Sequence, residues 1–263
     1  MDTAWDNVPK KGGGQRRVWM PPEATQRHLF LDDDPQTLWE HNFKWNKSWQ
    51  NWEPCRVRNR ITLSGERGWN VDGCPICDAY SDRFPSFVGL HTTINMTPWF
   101  TKKTQQEINF QREIFAAKMG SAEKPGVLKK LRKLYEKHGR LRGLVFDIER
   151  PGKKTESCGS EFELVEQIDP KDLEAYMKDH LTDYLKRRNE GIPKDKQVTL
   201  EKWLEWHPWE PFDFEEICKP KPIDELKAMF SKGGGATVES DDDRSGGAGR
   251  EEDDAGSDDD IPY

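Results

Sequence analysis

The alternation of apolar and polar positions divides the chain into short strands, a few helices and an apolar-poor end. From Arg17, the segments RRVWMPP, RHLFLDD and LWEHNFKW are short, aromatic-rich and separated by Pro or Asp clusters, a pattern that predicts β-strands. Residues 56–85 read as loop, with Gly65, Gly68, Gly73 and two prolines. SFVGLHTTINM over 86–96 alternates well enough for a further strand. Residues 104–119 fit neither period, because Ile108, Phe110, Ile114, Phe115 and Met119 recur at no constant spacing.

A clear helix follows. Val127, Leu128, Leu131, Leu134 and Tyr135 form its apolar stripe, Lys129, Lys130, Arg132, Lys133 and Lys137 fill the other side, and Gly139 stands where a helix ends. LRGLVFDIER (141–150) and SEFELVEQID (160–169) predict two more strands. Asp169 and Pro170 then read as the N-cap and first residue of a second helix. Its stripe is Leu173, Met177, His180/Leu181 and Tyr184/Leu185, and Gly191 ends it. The Trp-rich TLEKWLEWHPWEPFDF carries negative charge and reads as packing over the strands. A short helix at 223–230 closes the ordered part.

The fold class predicted is mainly β with α insertions (α+β). Strands, a helix and two more strands are compatible with a small Greek-key barrel of the OB-fold type, whose face binds single strands. The chain then divides into a basic arm (1–15), a core (16–231) and an acidic tail (232–263) expected to be disordered. Within the core, a metal-binding part covers about 38–95 and a helical extension about 170–231.

Charge sharpens this division. Residues 1–150 carry 25 Lys+Arg against 18 Asp+Glu, whereas residues 239–263 carry 2 against 11. A basic half suits phosphates, and the stated net charge of −7 hides it. No run of 18 apolar residues spans a membrane, and MDTAWDNVPKK lacks a secretory core, so the expectation is an intracellular protein. Five cysteines, two of them in a CxxC, fit a reducing compartment and a metal site.

Candidate chemistry concentrates between His41 and Cys77. Cys74 and Cys77 can take two corners of a zinc tetrahedron, because the turn between them aims both sulfurs inward. Cys55 is the nearest further cysteine, and His41 and His91 compete for the fourth corner, with His41 preferred. Four protein ligands leave no open position, which makes such a zinc structural. The same stretch interleaves Trp45, Trp49 and Trp52 with Lys44, Lys47, Arg56, Arg58 and Arg60. With Trp99, Lys102 and Lys103, these are the candidate contacts to bases and phosphates of single-stranded nucleic acid.

The order His41, Cys55, Cys74-x-x-Cys77, with the VWMPP, EHN, CPIC and GLVFDIER regions, resembles bacteriophage helix-destabilising single-stranded DNA-binding proteins. The resemblance spans about residues 15–170. It implies an OB-fold, zinc held by His41, Cys55, Cys74 and Cys77, and coating of single-stranded DNA, with self-association along it, in the cytoplasm of a host bacterium. The ending Asp258-Asp259-Asp260-Ile261-Pro262-Tyr263 is similar to that of bacterial single-stranded DNA-binding proteins, with Tyr263 in place of Phe. That likeness implies recruitment of replication, recombination and repair enzymes (a polymerase, helicase or recombinase) through the tail. The chain departs from the phage pattern in its long Cys55–Cys74 gap. Its arm also lacks a compact Lys/Arg–Ser/Thr cluster.

Enzyme motifs are missing. No His-x-Glu precedes the CxxC, and there is no HExxH, GxxxxGK[ST] or GxSxG. A non-catalytic protein is expected. The alternative is a zinc-containing replication or transcription adaptor that binds protein and not DNA.

Overall fold

The computed structural model describes residues 17–45, 48–58, 73–79, 85–100, 107–121, 125–230 and 236–238. The arm and the terminal Asp258–Tyr263 lie outside them.

Strands β1 (Thr25–Phe30), β2 (Gln36–Trp45), β3 (Ser48–Pro54) and β4 (Ser86–Asn95) belong to one sheet. Strands β5 (Trp99–Phe100) and β6 (Glu107–Ile108) pair separately. The main sheet is completed by β7 (Gln111–Lys118), β8 (Leu144–Glu149), β9 (Glu161–Gln167) and β10 (Ala236–Val238). All pairings between these strands are antiparallel. One edge of β4 is shared by β1, from His28↔Asn95 to Phe30↔Thr93, and β2, from Gln36↔Leu90 to Glu40↔Ser86. Its other edge pairs throughout with β7. The described strands make an open sheet, and no closed barrel is seen among them.

Helices cover both faces. Side chains alternate along a strand, so β1 sends Phe30 one way and Leu29 the other. Phe30, Phe115 and Phe146 pack with Leu128 and Leu131 of α2 (Val127–His138). Leu29, Ile94 and Val145 pack with Met177, Leu181 and Tyr184 of α3 (Leu173–Arg188). The short α1 (Pro75–Ala79) lies in the expected loop region. Trp203 of α4 (Leu200–Trp206) meets the Tyr184 ring at 5.3 Å, so the Trp-rich segment does pack over the sheet. Helices α5 (Phe214–Ile217) and α6 (Ile223–Phe230) follow. Among the described residues, no helix is long and apolar enough to cross a membrane.

Several expectations change. RRVWMPP is not a ladder strand: Val18 N–H donates to Ile114 O and Met20 N–H to Ser157 O, and two prolines stop the run. Residues 111–118 are a strand, hidden because Phe110 takes φ 55° and breaks the period between β6 and β7. Helix α3 starts at Leu173, since Asp169 accepts from Lys171 N–H and Asp172 N–H and closes a turn first. His180 is exposed, not part of the buried stripe. Ala236–Val238, placed by composition in the tail, is a strand on β2.

One buried and one half-buried histidine, His28 and His207, set a pH dependence. His28, with ring nitrogens 3.2 Å from Thr93 Oγ1 and Gln26 Oε1, is held by burial at about 3, and burial holds His207 at about 4. The unfolded chain takes up these protons near 6.5 and the folded chain does not. Stability is therefore full above about pH 6.5 and falls as pH drops toward 4, by up to about 1.4 kcal/mol per unit for each ring. Urea unfolding at pH 7 and pH 5 should show His28→Gln losing about 2 kcal/mol less than wild type between them. Equal losses would rule the histidine out as the source.

Candidate metal centre and nucleic-acid interface

Strand β2 outlasts its pairing with β4. Beyond Glu40 it continues against β3, in register from His41↔Glu53 to Trp45↔Ser48. Between His41 and Asn42 the register shifts, passing from Glu53 to Asn51 and skipping Trp52, a bulge that re-aims the strand. Cys55 follows β3, fixed by its N–H to Trp39 O at 2.8 Å. Cys74 and Cys77 flank the first turn of α1, where Asp78 N–H donates to Cys74 O.

These segments bring four donors together. His41 Nε2, and the sulfurs of Cys55, Cys74 and Cys77, all lie within 4.8 Å of one another. Cys55 and Cys77 sulfurs are 3.6 Å apart, and His41 Nε2 is 3.5 Å from both Cys74 and Cys77 sulfurs. A tetrahedron with Zn–S of about 2.3 Å and Zn–N of about 2.0–2.1 Å has S–S edges of roughly 3.8 Å and S–N edges of roughly 3.6 Å. The four side chains are thus close enough to hold a metal ion, in an arrangement consistent with zinc.

Electrostatics points the same way. Hydrogen bonds from Cys55 and Cys77 hold the Cys74 thiol far below its usual range, and Cys55 and Cys74 push the Cys77 thiol far above it. Burial disfavours a charged His41 ring, but the Cys55 and Cys74 sulfurs outweigh it and hold the ring at about 9. Three sulfur donors and one imidazole suit a divalent cation that accepts thiolate and neutral imidazole together.

His91 is elsewhere. Its Nδ1 is 2.7 Å from Asp32 Oδ1, and Asp32 Oδ2 accepts Thr92 N–H, so this pair pins the β1–β2 connection onto β4.

The C-terminal segment walls the cluster. Phe43, Cys55, Cys74 and Ile76 pack against Leu226 and Met229 of α6. Glu53 Oε1 accepts Lys221 N–H, and Arg56 Nη1 donates to Lys221 O at 2.9 Å. Burial pushes the Glu53 carboxyl up to about 7 despite that bond. The apolar face of α6 is legible in the sequence, but its destination is not.

The candidate nucleic-acid contacts separate into groups. Lys44, Trp45, Trp49 and Trp52 lie in β2 and β3, with Lys44 opposite Trp49. Arg56 is buried and bound to Lys221, so it clamps the site and offers no surface for a phosphate. Arg58 is exposed, its guanidinium 5.1 Å from the Trp39 ring centre. Trp99 is half-buried in β5. Lys47, Arg60, Lys102, Lys103 and the tail residues Asp258, Asp259, Asp260, Ile261, Pro262 and Tyr263 lie outside the described residues. One aromatic missed by sequence reasoning is Trp19, the most exposed large apolar side chain described, at 54%. Its neighbours Val18 and Met20 are also apolar, so no alternation flags it.

No protein-family model, curated protein or solved structure matches the chain.

Metal analysis checks the cluster. Wild type should hold a tightly bound zinc, retained in His91→Gln and lost in Cys77→Ser. Chelation should make residues 41–79 more sensitive to protease, because metal binding supplies local folding energy. Unchanged proteolysis, or retention of the metal by Cys77→Ser, would refute the ligand set.

Proposed function

We propose that the protein is a non-catalytic single-stranded DNA-binding protein of the OB-fold type, acting in phage DNA replication, recombination and repair. The observation that carries this reading is the position of the four-donor cluster. It lies at the root of the β2–β3 hairpin, whose sequence interleaves Trp45, Trp49 and Trp52 with Lys44 and Lys47. The backbone register sets residue 44 opposite residue 49 on the two strands of the hairpin. Stacking on aromatic rings and contact with ammonium groups together bind any unpaired strand regardless of sequence.

Zinc in this reading is structural. Held by His41, Cys55, Cys74 and Cys77, it fixes the hairpin root and leaves no position for a substrate. Arg58, Arg60, Trp99, Lys102 and Lys103 extend the contact surface. The acidic tail ending Asp258–Tyr263 recruits replication and repair enzymes and competes with DNA for basic side chains.

Titration with oligo-dT tests the reading through tryptophan fluorescence. Strong quenching at low salt, reversed by added salt, is the expected result. An unquenched protein that leaves the oligonucleotide free at low salt would overturn the reading in favour of a protein-binding adaptor. Removing residues 239–263 should raise DNA affinity at low salt and abolish capture of partner enzymes; unchanged affinity would refute competition by the tail.

A further inference from the structure

We infer that Trp19 and the loop carrying Lys153 and Lys154 form a second contact strip for an unpaired nucleic-acid strand. Trp19 stacks on a base and the two lysines meet phosphates. The inference rests on the single-strand reading above and deepens it, because none of these three residues belongs to the hairpin.

Trp19 is exposed on a braced backbone. Val18 and Met20 on either side are buried. Met20 N–H donates to Ser157 O at 2.8 Å, and Val18 N–H to Ile114 O at 2.9 Å. A mostly exposed indole costs apolar surface in water, and the burial of both neighbours turns this position outward. A flat ring facing solvent from a braced backbone is open to stacking on a base.

The lysine loop is tied to the same backbone. Arg150 Nη1 donates to Met20 O at 2.6 Å, and its Nη2 donates to Lys153 O at 3.2 Å and Thr155 O at 3.4 Å. A single guanidinium therefore holds the Trp19–Met20 segment beside the 153–155 segment. On the loop's other side, Glu156 accepts Lys118 N–H and Val127 N–H, fastening it to β7 and α2. Gly159 lies so close to Met20 that a Cβ there would collide with Met20 Cε, and its φ is +85°. Lys153 and Lys154 are exposed on this fastened loop.

The strip joins the metal centre. Arg17, two residues before Trp19, makes a paired contact with Glu40 at 2.9 and 2.6 Å, and Glu40 precedes the donor His41. Two residues of extended chain span about 7 Å between the Arg17 and Trp19 backbones, and the Arg17 side chain bridges the rest to Glu40; the inferred path of the strand runs from the hairpin root over Trp19 to the lysines. A protein partner would also accept an exposed tryptophan. The paired lysines favour a polyanion instead, and an aromatic ring beside lysines matches a base beside its phosphates.

The full chain is tested with labelled oligo-dT over a salt series, comparing wild type, Trp19→Ala, Trp19→Phe and the double variant Lys153→Ala/Lys154→Ala. Melting curves confirm folding, and Trp19→Phe keeps a ring should Trp19→Ala fold poorly. Trp19→Ala should weaken binding by roughly ten- to a hundredfold, with Trp19→Phe close to wild type. The double variant should reduce the slope of log affinity against log salt by about 1.4. Wild-type affinity and salt slope in all variants would overturn the strip while leaving the hairpin reading intact. Loss of self-association in Trp19→Ala with unchanged DNA affinity would overturn it in favour of a protein contact. No oligo-dT binding by wild type would remove the single-strand reading itself, and the strip with it.

Discussion

Strand β2 runs on past its pairing with β4, and much of this molecule answers that overhang. Beyond Glu40 it has left β4, so one edge loses its hydrogen-bond partners and the Phe43 ring loses the cover of the main core. An uncovered edge is a template for unwanted pairing, and an unfilled backbone group is costly when buried. Three pieces distant in sequence supply what is missing. Strand β10 pairs with Phe43–Trp45, α6 covers Phe43, and α1 delivers two sulfurs beneath. A hairpin standing off a sheet cannot rely on a large apolar core, and a four-donor metal cluster is a compact substitute.

The cluster and its surroundings form a graded environment. Closest in are three sulfurs and an imidazole. Next come Glu53 and Arg56, both bound to the backbone of Lys221, which ties the β3 end to the approach of α6. Beyond them lie Arg58 against Trp39, and Trp39 against Phe87 with ring centres 5.1 Å apart. The Arg56 guanidinium beside the cluster thus serves structure. A substitution such as Arg56→Ala leaves the Lys221 carbonyl without its donor, a cost of about 1–3 kcal/mol that would mimic a loss of DNA contact.

Part of this was legible in the sequence for chemical reasons. Cysteines two apart in a glycine-bearing loop have few alternatives to a metal, and His41 and Cys55 stand where strands could deliver them. Helix α2 announced itself because it has one buried face, so its period survives in the residues, and β8–β9 because Phe146, Ile148, Phe162 and Leu164 recur at every second position. The remainder was hidden where a local geometric event erased the period. Phe110 turns the backbone into positive φ just before β7, and the Val18–Trp19–Met20 run is apolar throughout although only its first and third members are buried. The partnership of α6 with the metal centre joins residues far apart in the chain, which no pattern confined to one segment can encode.

The Arg17–Glu40 pair carries a practical consequence for anyone trimming this protein. Glu40 is almost fully buried, and its carboxylate is matched by a guanidinium from the first residue described. Removing one member of such a pair strands a charge, at a cost of about 3–5 kcal/mol. At the other end, the last strand lies along the same hairpin. A fragment cut at the composition boundaries, after the glycine-rich arm on one side and at the glycine run 233–235 on the other, would keep Arg17 but lose the last strand. Two segments far apart in the chain, Arg17 and Ala236–Val238, are thus both sewn to β2.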